Sequence, residues 1–403
     1  MKKKTILYIT ELFPYPPTSG AKIKSLNTIQ TLSKKFNIIL VCFNQNNISK
    51  KDFKYIKQYT QQVKVFSLPN LNSQPQEKLN LLILNYLKLT PHFLYQFYSN
   101  SAEKYIKLII EKINPDIIHV DHINMAQYLP VKKTQKWILE EHNVEHILAL
   151  EKFVYFPKLK KTKIFLFFEY LLTYFYERRT LPKFDYIFSI SNFDREIIIK
   201  KFNLNNISTQ NLVYEFNKQQ KCIFKNKTNK NLLFIGDITW FPNKLAIKWF
   251  TQSIFPLIRM KEPNVTLNIV GEIENSFSKE LTKEKNVITH GFTKDVSTLL
   301  SKASLFIMPF QVGGGVRIKA LTAFSYKLPI VTTPKGIQGI EGTNKRDYLI
   351  ANNEKDFANK CISILKNFKL LQTMGENGYN YLLKNHSHKN NNTFLNKYLK
   401  ITQ

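Results

Sequence analysis

The chain has 403 residues, 43% of them hydrophobic, and exceeds the roughly 250 to 300 residues at which a single core usually divides, which predicts two domains. Its three cysteines, Cys42, Cys222 and Cys361, are far apart with neither a CxxC pair nor a zinc spacing, which excludes a disulfide scaffold and fits a reducing compartment. The net charge of +30 favours anionic partners (membrane surfaces, phosphorylated lipids, nucleotides or nucleic acid), and only six of the 59 basic residues are arginine.

MKKKTILYIT starts like a signal peptide, but Glu11, Pro14, Pro16 and Pro17 end the apolar run early, so Thr5 to Thr10 reads as a first strand. In ELFPYPPTSGAKIKS prolines stiffen the approach, Gly20 turns the chain, and a helix opens with Lys22 and Lys24 in its first turn. That loop suits an anion, although glycine-to-helix turns are also common structural punctuation. Further apolar runs predict strands at Asn37 to Phe43, Val63 to Leu68, Asp116 to Val120, Lys136 to Glu140 and Asp185 to Ile190. Helical spacing at Ala21 to Lys35, Ser99 to Ile113 and Asn192 to Lys201 alternates with them, as in a parallel doubly wound α/β sheet.

DIIHVDHINMA and ILEEHNVEHILAL hold His119, His122, His142 and His146, half of the eight histidines, at the ends of predicted strands. HNVEH spaces two histidines as a metalloprotease helix does, but Glu145 adjoins the second and no third ligand is evident, so no metal is expected. His142 has the chemistry to bond a substrate hydroxyl or a developing charge, with Glu141 or Glu145 orienting its ring; the alternative is a satisfied histidine at a strand end. Ile164 to Tyr176, IFLFFEYLLTYFY, is shorter than the roughly 20 residues of a membrane span and contains Glu169. Cations flank it at Lys158, Lys160, Lys161, Lys163, Arg178 and Arg179, which leaves two readings, an interfacial helix or a core helix with solvated ends.

Composition and strand recurrence predict a domain over 1–217, a linker over 218–230, a second domain over 231–383 and a segment over 384–403 that packs back on the first. Strands recur at Asn231 to Gly236, Val265 to Val270, Asn286 to Thr289, Ser304 to Met308 and Ile330 to Thr333. Ligands of such sheets bind beyond the carboxyl ends of the strands, where Gly236, Gly271 and Gly291 stand; Asp295 suits a helix cap. PFQVGGGVRIKAL places three glycines before a helix carrying Arg317 and Lys319, a site for phosphate or diphosphate.

The ordered set FIGDITWFPN, NIVGE, HGFTKDV, PFQVGGGVRIKAL and PIVTT resembles the nucleotide-binding half of glycosyltransferase family four, which has the GT-B fold of two Rossmann-like domains facing a cleft. FPYPPTSGAKIKS, EEHNVEH and DYIFSISNFD resemble its N-terminal half. The resemblance implies a metal-independent, cofactor-free retaining transfer of sugar from a nucleotide sugar to a glycan or lipid-linked acceptor in surface polysaccharide or glycolipid synthesis. It implies a cytoplasmic place; the interfacial reading of Ile164 to Tyr176 would add peripheral contact with an anionic membrane at the inner face of the plasma membrane. Nucleic acid is the disfavoured partner.

By the same resemblance Arg317 and Lys319 neutralise the leaving diphosphate and His142 faces the donor sugar. Gly20, Gly236, Gly313, Gly314, Gly315, Val316 and Thr322 line the donor, and Thr289, His290, Gly291, Phe292 and Thr293 hold its base; Lys24, His119, His122 and Glu145 stand on the acceptor side. The family's E-x7-E pair is replaced by Gly314 and Thr322, and Asp237 stands where many members have arginine. These departures favour the alternative, a catalytically inert GT-B relative that binds a nucleotide sugar or a partner.

Overall fold

The apolar runs of the first half become a seven-stranded, all-parallel sheet in a computed structural model that describes residues 3–44, 47–68, 89–155, 160–216, 230–293, 295–314, 317–387 and 389–403. The chain divides into two units, one of Met1–Val213 with His388–Gln403 and the other of Tyr214–Ser387. Most of the linker read at 218–230, together with Cys222, lies outside the described residues.

In the first unit the strands are β1 (Thr5–Thr10), β2 (Asn37–Asn44), β3 (Gln62–Ser67), β4 (Ile117–Asp121), β5 (Lys136–Glu141), β6 (Tyr186–Ser189) and β7 (Ile207–Thr209). Their order is β3-β2-β1-β4-β5-β6-β7. Alternate side chains of a strand face opposite sides, so Leu7 and Ile9 join one core with Val41 and Val120, while Ile6 and Tyr8 join another with Leu40 and Ile138. The helices are α1 (Gly20–Leu32), α2 (Lys50–Lys57), α3 (Asn100–Ile113), α4 (Glu145–Tyr155), α5 (Lys160–Thr180) and α6 (Asn192–Phe202). Ser19, Ser49, Ser99 and Ser191 cap four of them by accepting a first-turn amide.

The second unit has β8 (Asn231–Ile235), β9 (Thr266–Val270), β10 (Val287–Thr289), β11 (Leu305–Met308), β12 (Ile330–Thr332) and β13 (Leu349–Ile350), in the order β10-β9-β8-β11-β12-β13. Its helices are α7 (Phe241–Trp249), α8 (Phe255–Lys261), α9 (Asn275–Leu281), α10 (Ser297–Lys302), α11 (Ile318–Ser325), α12 (Glu354–Lys366) and α13 (Phe368–Asn385). Pro242 sits in the first turn of α7, where a missing amide hydrogen does no harm, while Pro256 follows the π-helical turn Phe250–Ile254 that joins α7 to α8 without a break.

The chain then re-enters the first unit as α14 (Lys389–Thr402). Phe394, Leu395 and Tyr398, one face of that helix, are buried in the core that holds Ile6 and Tyr8. Among the described residues no helix is long and apolar enough to cross a membrane.

Candidate functional site

β1, β4 and β5 are neighbours in register, with Thr10 opposite Asp121 and Asp121 opposite Glu140, so the polar residues at their carboxyl ends fall together. Asp121 Oδ1 lies 2.5 Å from His142 Nε2, and Asp121 Oδ2 accepts the Ser25 hydroxyl at 2.5 Å. The buried His142 ring stacks on His122 with centroids 3.7 Å apart. His122 holds a φ of 76°, strained for a residue with a side chain, while its amide donates to the Glu140 carbonyl at 2.9 Å. Its Nδ1 stands 3.6 Å from Glu11, which accepts the Asn124 amide.

Environment sets the charges of this cluster. Burial alone would raise the Asp121 carboxyl, but His142, His122 and the Ser25 hydroxyl hold it below the ordinary carboxylate value. Burial and the neighbouring His142 depress His122 to about 3. Burial lifts Glu11 to about 8, and burial with Glu177 lifts Glu145 to about 7.

Beneath the cluster Glu140 is a hub. It accepts Lys24 Nζ at 2.9 Å and the Thr28 hydroxyl at 2.9 Å, and His119 Nε2 stands 3.2 Å away. Burial would raise this carboxyl, yet Lys24 and His119 hold it at about 2. The other His119 nitrogen meets the Tyr398 hydroxyl of α14 at 3.1 Å.

In the second unit β8, β9 and β10 run into Gly236, Gly271 and Gly291. Gly271 donates to the Gly291 carbonyl at 2.8 Å, and its φ of 142° and contact with the Gly236 carbonyl leave no room for a Cβ. Open space surrounds Gly291, and the next residue, Phe292, is 77% exposed. The Thr289 hydroxyl bonds Ser278 at 2.8 Å, and His290 Nε2 lies 2.8 Å from the Asn268 side-chain oxygen.

Beyond β11, Gly313 holds a φ of 116°. The Arg317 guanidinium donates to the carbonyls of Gly313 at 2.8 Å, Gly314 at 3.1 Å and Lys335 at 3.2 Å. Lys319 Nζ lies 2.6 Å from Asn243 Oδ1 and 5.0 Å from the centre of the Phe310 ring. It packs so closely on Gly236 that a Cβ there would collide with it. Burial, and secondarily the Arg317 charge, lower this ammonium to about 7. The Thr322 hydroxyl donates to the Ile318 carbonyl at 3.1 Å and lies 2.8 Å from the Tyr214 hydroxyl.

Several of the expected residues are already engaged by neighbours within the protein. His119 and Lys24 are buried, with their polar atoms committed to Glu140, Tyr398 and the Gln210 carbonyl, so neither presents itself to an acceptor. Arg317 is 6% exposed and folded onto the Gly313 and Gly314 carbonyls of its own loop and the Lys335 carbonyl beyond β12, while Lys319 reaches Asn243. Neither Glu141 nor Glu145 orients His142: Asp121 makes that contact.

The two histidines of HNVEH face different partners, since His146 pairs with Glu177 of α5. Glu177 also accepts the Glu145 amide at 2.7 Å and so caps α4. Asp121, His122 and His142 offer donor atoms within 4.8 Å of one another, but stacked rings carry their nitrogens in nearly parallel planes rather than toward a common point. Gly20 begins α1 behind its Ser19 cap, and the Asp295 carboxylate accepts the Ser297 amide at 2.8 Å in the first turn of α10. Gly315 and Val316 lie outside the described residues. Asp121, Asn243, Tyr214 and Glu177 were not singled out in the sequence as partners, because each is defined by a contact distant along the chain.

These two parallel-sheet units have the GT-B fold of glycosyltransferases. Residues 229–367, most of the second unit, match the family model described as glycosyl transferases group 1. The chain is 30% identical over 171 residues to an uncharacterized 44.6 kDa protein in the cps region of Klebsiella pneumoniae; the match spans 40% of this chain and 44% of that protein. It is similar in structure to TarM, with a TM-score of 0.66, 15% identity and coverage of 100% of this chain and 99% of the other. It is also similar to Anabaena HepE in complex with UDP and glucose, with a TM-score of 0.64, 13% identity and coverage of 99% and 100%.

Proposed function

We propose that this chain is a retaining glycosyltransferase moving a sugar from a nucleotide sugar to a glycan or lipid-linked acceptor of the cell surface, in the cytoplasm where such donors are made. The observation that carries the reading is the Lys319 ammonium, enclosed by Asn243, Phe310 and Gly236 at the carboxyl end of β8. A cation held there, beside glycines that leave backbone open, suits a diphosphate. HepE, seen with UDP and glucose, and the cps-region protein support the donor class and the surface-glycan setting.

In this reading the bond from the anomeric carbon to the diphosphate oxygen breaks, the acceptor oxygen bonds the same face, and its proton leaves with the diphosphate. Lys319 stabilises the charge that grows on the leaving group. Asp121 holds the His142 ring toward the sugar, and exposed Phe292 offers a face for the base. The chemistry asks for no metal.

The test is turnover of a panel of UDP-, GDP- and ADP-sugars with the product anomer read by NMR. Transfer with the donor's anomeric configuration is expected. Binding without hydrolysis or transfer of any donor would establish the inert reading, which Thr322 and Asp237 favour. An inverted product would overturn the retaining mechanism.

A further inference from the structure

α5 is turned inside out. Thr173 and Glu177, each 1% exposed, and Thr180, 6% exposed, form its buried side, Glu177 because it caps α4 and pairs with His146. The opposite side leaves Ile164 at 60%, Phe168 at 51% and Phe175 at 44% exposure. Residues four and seven apart on a helix of about 3.6 residues per turn fall on one line, so these side chains make a single apolar stripe. α4 packs alongside, with Phe153 5.6 Å from Phe167, and adds exposed Val154 and Tyr155.

Folding alone gives no reason for this arrangement, since a helix of a water-facing protein buries its apolar side. Cations border the stripe: exposed Arg178 and Arg179 continue it at the carboxyl end, and Lys163 Nζ sits 5.8 Å over Phe153 at the other. The acidic residues of α5 are elsewhere, Glu177 inside and Glu169 accepting the His92 amide at 2.7 Å. Aromatic and aliphatic side chains between cations match a bilayer interface, where rings sit at the headgroup boundary and long basic side chains reach lipid phosphates.

We propose that the α4 and α5 face docks on an anionic lipid bilayer without crossing it. The charge complementarity of the bordering cations selects a lipid surface over an apolar protein groove. The proposal is independent of sugar transfer, because its readout is binding.

The test is flotation of the full chain with phosphatidylcholine vesicles, with and without phosphatidylglycerol. The chain is expected to float with the mixed vesicles and to be released by added salt. Joint Phe168→Ser and Phe175→Ser replacement should lower partitioning about tenfold or more. Joint Arg178→Glu and Arg179→Glu replacement should act in the same direction. These positions are exposed, so circular dichroism should remain unchanged. Failure of the wild-type chain to float, or equal flotation of the serine variant, overturns the proposal. A wild-type dimer in sedimentation velocity that the serine variant lacks also overturns it, by assigning the face to a second copy of the chain.

Discussion

Lys24 Nζ lies 2.9 Å from Glu140 Oε1, with side-chain exposures of 2% and 1%. Two charges so enclosed are retained only because each answers the other, with Thr28 adding a second bond to the same Oε1 and His119 meeting Oε2. Lys24→Met leaves the Glu140 charge without its main partner and is expected to destabilise the first unit by about 3 to 5 kcal/mol. Urea unfolding measures this. Unchanged stability with weakened acceptor binding would restore Lys24 to the acceptor side.

Lys319 carries a pH prediction. Its ammonium is lowered to about 7 in the ligand-free protein, below the ordinary lysine value of 10.5. If the protonated form receives the diphosphate, donor affinity should weaken as pH rises through about 7, approaching tenfold per pH unit at the limit. Lys319→Met should abolish that dependence. The linked stability has a definite sign: between about 7 and 10.5 the unfolded chain holds the extra proton, so this group makes stability rise with pH across that window. Titration calorimetry with UDP at several pH values, and melting of both proteins from neutral to alkaline pH, check the two parts.

Glu11 acts in the opposite direction. Its folded value is raised from 4.5 to about 8, so between these values the folded chain holds a proton the unfolded chain has lost, and stability from this group falls as pH rises. Glu11→Gln keeps an amide beside Asn124 and removes the titration. The variant should gain on wild type, by on the order of 1 to 3 kcal/mol, between about pH 5 and about pH 8. Parallel pH dependences for the two proteins would mean that Glu11 ionises normally.

The strand pattern was legible because parallel strands covered on both faces are continuous apolar runs: ILYI, IILVCF and LFIM became β1, β2 and β11 with ends shifted by a residue or so. β7 and β13 were missed: IST is two-thirds polar and LI is only two residues, whereas the equally short β10 and β12 each begin with a pair of β-branched apolar residues. Serine and proline announced helix starts through local chemistry. The site was legible as a set of residue types and opaque as a set of contacts. Nothing local to His142 indicates that Asp121, 21 residues earlier, holds it, or that Lys319 meets Asn243 across 76 residues. α5 was ambiguous for a related reason: its composition suits either a core or an interface, and only the burial of Glu177 shows which side faces in.

His142→Ala is expected to leave donor affinity within about twofold while lowering transfer on the order of 10²-fold, as for a lost transition-state contact. Asp121→Asn should reproduce most of that loss, because the carboxylate holds the ring. Dialysis against EDTA should leave wild-type transfer unchanged, since the stacked His122 and His142 rings do not converge on one ion. Steady-state kinetics with and without chelator decide between these roles. Unchanged transfer in His142→Ala would make it a structural histidine, and activity restored only by added divalent cation would reverse the metal assignment.

Arg317 separates loop shaping from charge neutralisation. Its guanidinium binds the carbonyls of Gly313, Gly314 and Lys335, so Arg317→Ala removes donors from three acceptors as well as a positive charge near Lys319. Turnover should fall by on the order of 10²-fold, with a lower melting temperature, while Lys384→Ala changes neither. Arg317→Lys retains the charge but not the planar fork that reaches several carbonyls, so it should recover little if geometry dominates. Free guanidinium at millimolar concentration, by refilling the same position, should then restore part of the turnover of Arg317→Ala and none of that of Lys319→Met. Full recovery in Arg317→Lys would return the role to charge alone.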